Sequence, residues 1–224
     1  MWAFRSLLAG AALAVLAASA QASAITIVNP SFETPPAGGY PLTAGCGAVV
    51  GCQYNAGSIS GWTVTGNTGQ WQPGNSTSVF FNTAGGEDGS TVAYSNGGTF
   101  SQTLGATTVA GDTYTLTFFE GWRNDQLLPI NVVDLVIGGS TDVAATPLGP
   151  VTQGNWTEYQ ATFLALTSGQ TIGIDAANTG GGQGDFDNFS LSAAGTPEPG
   201  TWALLLAGFG AVGFALRRRK AIIA

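Results

Sequence analysis

Between two apolar terminal segments, the chain alternates hydrophobic and polar residues in short runs separated by glycine-rich turns. In DTYTLTFFE, Tyr114, Leu116 and Phe118 share one face of an extended chain, while threonines occupy the other face. This period of two is typical of a strand that buries one side, and it recurs in WTEYQATFLAL at 156–166. No helical pattern of any length interrupts the runs between residues 25 and 195. The pattern predicts an all-β, antiparallel sandwich or barrel.

The predicted strands cover much of this central segment. They are ITIV at 25–28, GWTVT at 61–65, SVFFN at 78–82, STVAYS at 90–95, TFSQTL at 99–104, DTYTLTFFEGW at 112–122, VVDLVIG at 132–138, WTEYQATFLAL at 156–166, TIGIDAA at 171–177 and DFDNFSL at 185–191. Trp62 and Trp156 stand where two of these strands begin, which favours a place for both in the core.

The N-terminal segment, residues 1–24, has the three parts of a secretory signal peptide in order. Arg5 supplies an early positive charge, an apolar run follows, and Ala22-Ser23-Ala24 ends it with the small-x-small pattern that signal peptidase cleaves. An uncleaved transmembrane helix is the alternative, but the apolar run is short for one. We expect signal peptidase to release a mature chain that starts near Ile25, outside the cytoplasm.

The C-terminal apolar run, Trp202 to Leu216, has 15 residues without a charge and contains three glycines. A stable membrane-spanning helix needs roughly 17–25 residues. A basic cluster follows the run: Arg217, Arg218, Arg219 and Lys220. Basic residues next to a span stay in the cytoplasm. The segment at about 201–216 is therefore predicted to be a hydrophobic helix that tethers the exported domain to the membrane only transiently.

Pro197-Glu198-Pro199, the apolar run and the basic tail 217–220 together resemble the PEP-CTERM sorting signal of bacteria. The resemblance covers residues 196–224. It implies that an exosortase, a membrane transpeptidase-like enzyme, recognises the Pro-Glu-Pro triplet and processes the protein at the surface of a Gram-negative-type cell. The protein would be tethered to the inner membrane before processing and would then reach the cell surface or the extracellular matrix. A plain anchor with an accidental triplet is the alternative.

The segment from 25 to 195 is strongly acidic. It contains twelve carboxylates and a single basic residue, Arg123, for a net charge of −11. Such a surface repels nucleic acid and anionic lipid, so nucleic acid is not an expected partner. The chain also has no histidine. This excludes Ser–His and Cys–His nucleophile systems and the ordinary zinc hydrolase sites.

Two cysteines, Cys46 and Cys52, lie close together in a glycine-rich loop. In an oxidising compartment this spacing favours a disulfide. Closing so small a loop would stabilise the fold by about 2 kcal/mol on the chain-entropy model. We expect the bond to stiffen this loop, and a redox-active pair is the alternative.

Short landmarks follow the order of the predicted strands. They are Asn29-Pro30-Ser31-Phe32-Glu33 after the first strand, Gly61-Trp62 at the next, Gly111 to Leu116 at a central strand, and Asp187 to Leu191 at the end. Their order resembles the galactose-binding-like jelly rolls of carbohydrate-binding modules and of cell-wall proteins of the DUF642 type. The resemblance implies a jelly-roll β-sandwich for residues 25–195.

The same resemblance implies a structural calcium ion at one edge of the sandwich. Its ligands would be Glu33, from the first landmark, and Asp187, from the last strand, with Asp185 as a helper. A domain rich in carboxylates and free of histidine can supply the roughly six to eight oxygen ligands that calcium takes. The alternative is that Glu33 and Asp187 are strand-end charges satisfied by backbone N–H groups.

Carbohydrate recognition needs flat aromatic faces beside amides and carboxylates. The stretch EGWRNDQ at 120–126 concentrates such groups in Trp122, Arg123, Asn124 and Asp125. Trp71, between two glutamines, is a further aromatic that looks exposed. In the alternative interpretation, Trp122 caps the core while Arg123 pairs with Asp125 or Glu120.

Acidic pairs are the remaining catalytic candidates, because two carboxylates can hydrolyse a glycoside. Asp185 and Asp187 alternate along one strand, and Glu87-Asp88 lies in a turn. Neither pair combines a buried acid with a second carboxylate at a separation that the sequence defines, so no catalytic residue is predicted. The sequence favours an exported, non-catalytic protein that binds polysaccharide. The alternative is a structural envelope or biofilm matrix protein without a small ligand.

Overall fold

The computed structural model describes residues 22–44, 50–74, 79–80, 85–195 and 206–213. Within them, a short helix spans 206–213, and the strands form a compact unit over Ala22–Gly195. The strands are β1 (Ala22–Ile25), β2 (Gln53–Tyr54), β3 (Thr63–Gln72), β4 (Val92–Thr107), β5 (Thr113–Trp122), β6 (Pro129–Ile137), β7 (Thr141–Ala144), β8 (Thr146–Pro147), β9 (Asn155–Leu164), β10 (Thr171–Gly181) and β11 (Gly184–Ala194).

The strands pair antiparallel and form two layers. One layer has the order β7-β6-β10-β4-β3-β2, and the other has the order β1-β11-β5-β9-β8. The layers join where Gly184, Asp185 and Phe186 of β11 pair with Ser95, Tyr94 and Ala93 of β4. The predicted all-β jelly-roll sandwich with a short C-terminal helix is confirmed.

The main core lies between the two layers and is built by the predicted alternation. Tyr114, Leu116 and Phe118 are at most 2% exposed, while the threonines between them remain partly exposed. Trp62 lies in this core, as predicted. An aromatic cluster fills its centre, with Phe118 and Phe189 stacked at a centroid distance of 4.9 Å. Burial of one face of every long strand is therefore what holds the layers together.

The Asn-Pro-Ser-Phe-Glu landmark is a turn that inserts a phenylalanine into this core. Asn29 and Phe32 both have left-handed backbone angles, with φ of 51° and 57°. The Asn29 side chain holds the turn by accepting the Thr34 N–H at 2.9 Å and donating to the Ser60 carbonyl at 3.0 Å. Phe32 is fully buried against Trp62. Asparagine suits the first position because it tolerates left-handed angles better than most residues.

The predicted strands at 90–95 and 99–104 are one strand, β4, and the turn predicted between them is wrong. Gly97 takes a left-handed φ of 91° and lets the strand bend without ending. Gly66 of β3 lies against the same point, where an added Cβ would meet the Gly97 carbonyl oxygen at 2.7 Å. The glycines therefore allow a close approach of two backbones.

Other element boundaries also differ from the prediction. The first strand begins at Ala22, three residues before the expected 25–28 segment. In the predicted strand at 78–82, the described residues Val79 and Phe80 form a turn and a bend, and Phe80 packs on Trp156. The short strands β2, β7 and β8 were not predicted, because two to four residues carry too little periodicity to detect.

A second, smaller cluster packs on the outer side of β4. Ala93 points into the main core, while its neighbours Val92 and Tyr94 belong to the second cluster. Phe80 covers this face and packs on Trp156 with ring centroids 4.5 Å apart. Trp156 is partly buried and packs against this second cluster, whereas Trp62 belongs to the main core.

Candidate functional site

A cleft of about 460 Å³ opens beside the second cluster. Its walls come from β2, β3, the start of β4, the segment after β5, and the residue before β11. The residues that line it are Ala44, Cys52, Tyr54, Asn67, Trp71, Pro73, Val79, Tyr94, Asn96, Arg123, Asp125, Gln126 and Gln183. The lining thus combines three aromatic rings with amides, one arginine and one carboxylate, which is a suitable surface for a polyhydroxylated ligand.

Arg123 is fixed in this cleft by partners on several sides. Its Nε and Nη2 donate to the two carboxylate oxygens of Asp125 at 2.9 and 2.8 Å. Its Nη1 donates to Gln183 Oε1 at 3.2 Å, and Cζ lies 4.6 Å from the centroid of the Trp71 ring. The hydrogen bond from Arg123 lowers the pKa of Asp125. The bidentate pair and the cation–π contact leave the guanidinium little freedom.

Gln183 connects Arg123 to a buried carboxyl, Asp185. Its Nε2 donates to Asp185 Oδ1 at 2.6 Å, while its Oε1 accepts from Arg123 and, at 3.4 Å, from Asn96. Asp185 is fully buried, and its Oδ2 has no hydrogen-bond partner within the described part of the chain. Burial raises the pKa of Asp185 to about 7, although the charge of Arg123 opposes this. Asp185 therefore lies behind the cleft, in contact with its lining.

The three aromatic rings of the cleft are held in different ways. Trp71 is only 5% exposed, so the expectation of an exposed ring is wrong. Its strand position sets it against Phe80, and Arg123 covers one face. Tyr54 and Tyr94 meet edge to face at 6.1 Å, and the Tyr94 hydroxyl donates to the Asn55 carbonyl at 3.0 Å. Tyr94 is only 4% exposed, so Tyr54, which is partly buried, is the ring of the three with the most accessible surface.

Of the five predicted ligand-binding residues, the structure brings Trp71, Arg123 and Asp125 together in the cleft. Trp122 does not line it: the side chain is partly buried and its indole N–H donates to the Gln126 carbonyl at 3.1 Å. Asn124 is exposed, and its backbone N–H bonds the Val79 carbonyl at 2.9 Å. Successive side chains near a strand end point in different directions, so adjacent residues cannot all face one ligand.

Sequence reasoning missed several residues of the cleft. Gln183, Asn96 and Tyr94 lie far from EGWRNDQ in the chain and reach the cleft only because β4 pairs with β11. Gln183 lies within the glycine run GGGQG, and Asn96 precedes Gly97. An amide beside flexible glycine is a weak signal, because turns also favour that combination.

Glu33 and Asp187, the calcium ligands that the resemblance implies, both hold one loop. Glu33 Oε1 accepts the N–H groups of Ser90 and Thr91 at 2.8 and 2.7 Å. Asp187 is fully buried and accepts from Asp88 N–H at 2.9 Å. Among the described residues, no three His, Cys, Asp or Glu side chains group together as metal ligands. The two carboxylates thus already satisfy backbone groups, and calcium stays a prediction.

If calcium binds Glu33 and Asp187, it should stabilise the folded state. At a concentration about a hundredfold above its dissociation constant, an ion stabilises by about 2.7 kcal/mol. For a domain of this size, that raises the melting temperature by roughly 5–10 °C. Scanning fluorimetry with calcium or with a chelator measures the shift, and Glu33→Gln should reduce it. Equal melting temperatures in both conditions would rule the ion out.

Glu120 is a further buried carboxyl at this end of the sandwich, on the inward face of β5. It is 8% exposed, and burial raises its pKa to about 7, against a lowering contribution from the Asn131 side chain. Because the folded state holds the proton on Glu120 more tightly than the unfolded chain does, this group contributes its whole stabilisation at low pH. It is lost as the pH rises through the range from the unfolded to the folded pKa.

Glu120→Gln should therefore remove a pH-dependent loss of stability. Between about pH 4 and pH 8, the native chain should lose about 3 kcal/mol through this group. The variant should lack that part of the decline in the free energy of unfolding, so its stability relative to the native chain should increase with pH. Urea unfolding at both ends of the range measures this. The exposed Glu158→Gln is the matched control and should follow the native profile.

Several predicted features fall outside the described residues. They are the signal peptide up to residue 21, Cys46 and with it the proposed disulfide to Cys52, the triplet Pro197-Glu198-Pro199, and the basic tail 217–220. Cys52 itself is buried in the second cluster. Among the described residues, no helix is both long and apolar enough to cross a membrane. The disulfide and the transient tether stay predictions.

Three solved structures are similar to this chain to different degrees. A cyclase from Fischerella sp. TAU matches with a TM-score of 0.63 and 24% identity, covering 80% of this chain and all of the cyclase. TmCBM61, solved with β-1,4-galactotriose, matches with a TM-score of 0.44 and 16% identity. The match covers 75% of this chain and 98% of TmCBM61. The CBM22-1 xylan-binding domain of Xyn10C from Paenibacillus barcinonensis matches with a TM-score of 0.41 and 11% identity. The match covers 66% of this chain and 98% of that domain. No curated protein matches.

Two family models match the sequence directly. The model described as HpiC1 cyclase covers residues 23–192, and the PEP-CTERM protein-sorting motif covers residues 196–220. The sorting motif confirms the expected resemblance of the tail and indicates export through an exosortase to the cell surface. Since the first model spans most of the chain, the protein belongs to the HpiC1-like family and carries a C-terminal PEP-CTERM motif.

Proposed function

We propose that this exosortase-sorted protein uses its sandwich domain to bind neutral polysaccharide in the cleft, without catalysis. The observation that carries the proposal is the fixed set of Arg123, Asp125 and Gln183 beside three aromatic rings. Amides and carboxylates of this kind bond sugar hydroxyls, and the partly exposed ring of Tyr54 can pack on the apolar side of a pyranose while Trp71 and Tyr94 form the floor of the cleft. A prearranged set of such groups loses little freedom on binding, which favours affinity.

The charge of the cleft supports a neutral ligand over an acidic one. Arg123 is the only basic residue between 25 and 195, and its Nε, Nη1 and Nη2 all have partners inside the protein. An anionic sugar would have to compete with Asp125 for the guanidinium. It would also approach a domain with a net charge of −11. Acidic polysaccharides should therefore bind weakly.

Affinity electrophoresis of the exported protein tests this proposal. Gels containing neutral β-galactan, β-xylan or dextran are compared with gels containing alginate or polygalacturonate. We expect at least one neutral polysaccharide to retard the protein and neither acidic one to do so, even at high salt that screens the surface charge. Preferential retardation by an acidic polymer would contradict the charge argument. Retardation by none would favour the structural matrix role instead.

A second candidate function is ring closure of a small molecule, after the description of the family. The specific observation in its favour is Asp185, a fully buried carboxyl behind the cleft whose Oδ2 has no hydrogen-bond partner among the described residues. Burial favours the neutral acid, and a substrate that displaces Gln183 from Asp185 would meet a carboxyl that can protonate an alkene. A second π bond would then attack the resulting cation to close the ring, and the carboxylate would take a proton back. Incubation with alkene-bearing aromatic compounds should then yield isomers of unchanged mass. An Asp185→Asn variant that still forms them would exclude Asp185 as the acid.

A further inference from the structure

Strand β1 begins inside the segment that the sequence assigns to the signal peptide. Ala22, Ser23 and Ala24 pair in register with Ala194, Ala193 and Ser192 of β11, and Ile25 pairs with Leu191. The Ser23 hydroxyl also lies 3.5 Å from the Ala193 carbonyl oxygen that it faces. The family model, which starts at residue 23, likewise includes Ser23 and Ala24 in the domain. Two different observations thus place these residues in the mature fold.

The sequence offers two sites with the small-x-small pattern of signal peptidase. One is Ala22-Ser23-Ala24, and the other is Ala18-Ser19-Ala20, four residues earlier. Both follow the same apolar run. We propose that signal peptidase cleaves after Ala20, so that the mature protein begins at Gln21 and keeps the whole of β1.

Cleavage after Ala24 would damage the edge of the sandwich. Three of the four residues of β1 would be lost, and Ser192, Ala193 and Ala194 of β11 would lose their partners on that side. An unpaired strand edge is a template for association between chains. The new α-ammonium group would lie on Ile25, the residue of β1 that pairs with Leu191. Cleavage after Ala20 avoids each of these effects.

Mass spectrometry of the exported protein identifies the cleavage site. The full precursor is expressed in a bacterium with its own signal peptidase, and the N-terminal peptide of the secreted or membrane-held product is sequenced. We expect Gln21 as the first residue, as free glutamine or as its cyclised form. A mature chain that begins at Ile25, or at any other residue, overturns the proposal.

A pair of variants separates the two sites. Ala20→Tyr puts a bulky residue at the proposed site and leaves Ala22-Ser23-Ala24 intact, so processing after residue 20 should stop. Ala24→Tyr changes only the later site, on an exposed strand position, and should leave cleavage at Gln21 unchanged. If Ala24→Tyr blocks processing and Ala20→Tyr does not, the proposal is wrong. Any product of Ala20→Tyr that begins at Ile25 should melt several degrees below the native protein.

Discussion

Replacing Arg123 with alanine is expected to weaken polysaccharide binding by about 30-fold or more, which corresponds to about 2 kcal/mol. The change removes the group that bridges Asp125, Gln183 and the Trp71 ring. Asp125 would then lose its partner, and Gln183 would lose one of the bonds that orient its amide. Isothermal titration with the neutral polysaccharide identified by electrophoresis measures the loss.

Two control variants make this result specific. Trp122→Phe alters the neighbouring ring, which does not line the cleft, and should leave affinity within about twofold of the native value. Arg123→Lys keeps the charge but loses the planar, bidentate contact, so its affinity should fall between those of the native protein and the alanine variant. Loss of binding in Trp122→Phe with retention in Arg123→Ala would move the binding site from the cleft to the surface around Trp122.

Phe32→Ala is expected to lower the free energy of unfolding by about 3–5 kcal/mol. The ring is fully buried and lies within 6 Å of three others, with centroid distances of 5.7 Å to Trp62, 5.9 Å to Phe100 and 5.8 Å to Phe189. Its removal leaves a cavity in the centre of the main core. The melting temperature should fall by roughly 10 °C or more, as calorimetry would measure.

The matched control is Phe119→Ala, on the outward face of β5, where the side chain is only partly buried. It should lower the free energy of unfolding clearly less than Phe32→Ala does. Phe32→Gly adds a test of the turn, because a φ of 57° favours glycine. Its stability should be no lower than that of the alanine variant. Equal losses of unfolding free energy in Phe119→Ala and Phe32→Ala would show that Phe32 stabilises the core no more than a partly buried phenylalanine does.

Much of the fold was predictable because burial repeats along each strand. The alternation of Tyr114, Leu116 and Phe118 with threonines gave both the strand and its inward face. The Asn29 to Glu33 landmark was recognised as a unit, since its turn depends on residues that are local in sequence. The sequence predicts a turn at Gly97 where the structure has a bend within β4, because a left-handed glycine serves either purpose. Only the partner strand decides between them.

The cleft was less predictable than the fold. The pairing of Arg123 with Asp125, two residues apart, followed from the sequence as one of two alternatives. The contact of Arg123 with Trp71 and Gln183 did not, because it depends on β3, β5 and β11 meeting at one end. Asp185 was placed with Asp187 by strand periodicity. Its carboxyl instead bonds Gln183, while Asp187 bonds the loop at Asp88.

The sequence by itself determined the destination of this protein, its acidic domain without histidine, and its all-β class. Those properties depend on composition, on local periodicity and on a tail whose parts are contiguous. The tertiary structure decided which residues share the cleft, where β1 begins, and which carboxyls are buried. These depend on the pairing of β11 with β1, β4 and β5, which brings together groups as far apart as Ala22 and Ala194. Register between distant strands is set by the packing of the whole core, and no local pattern contains it.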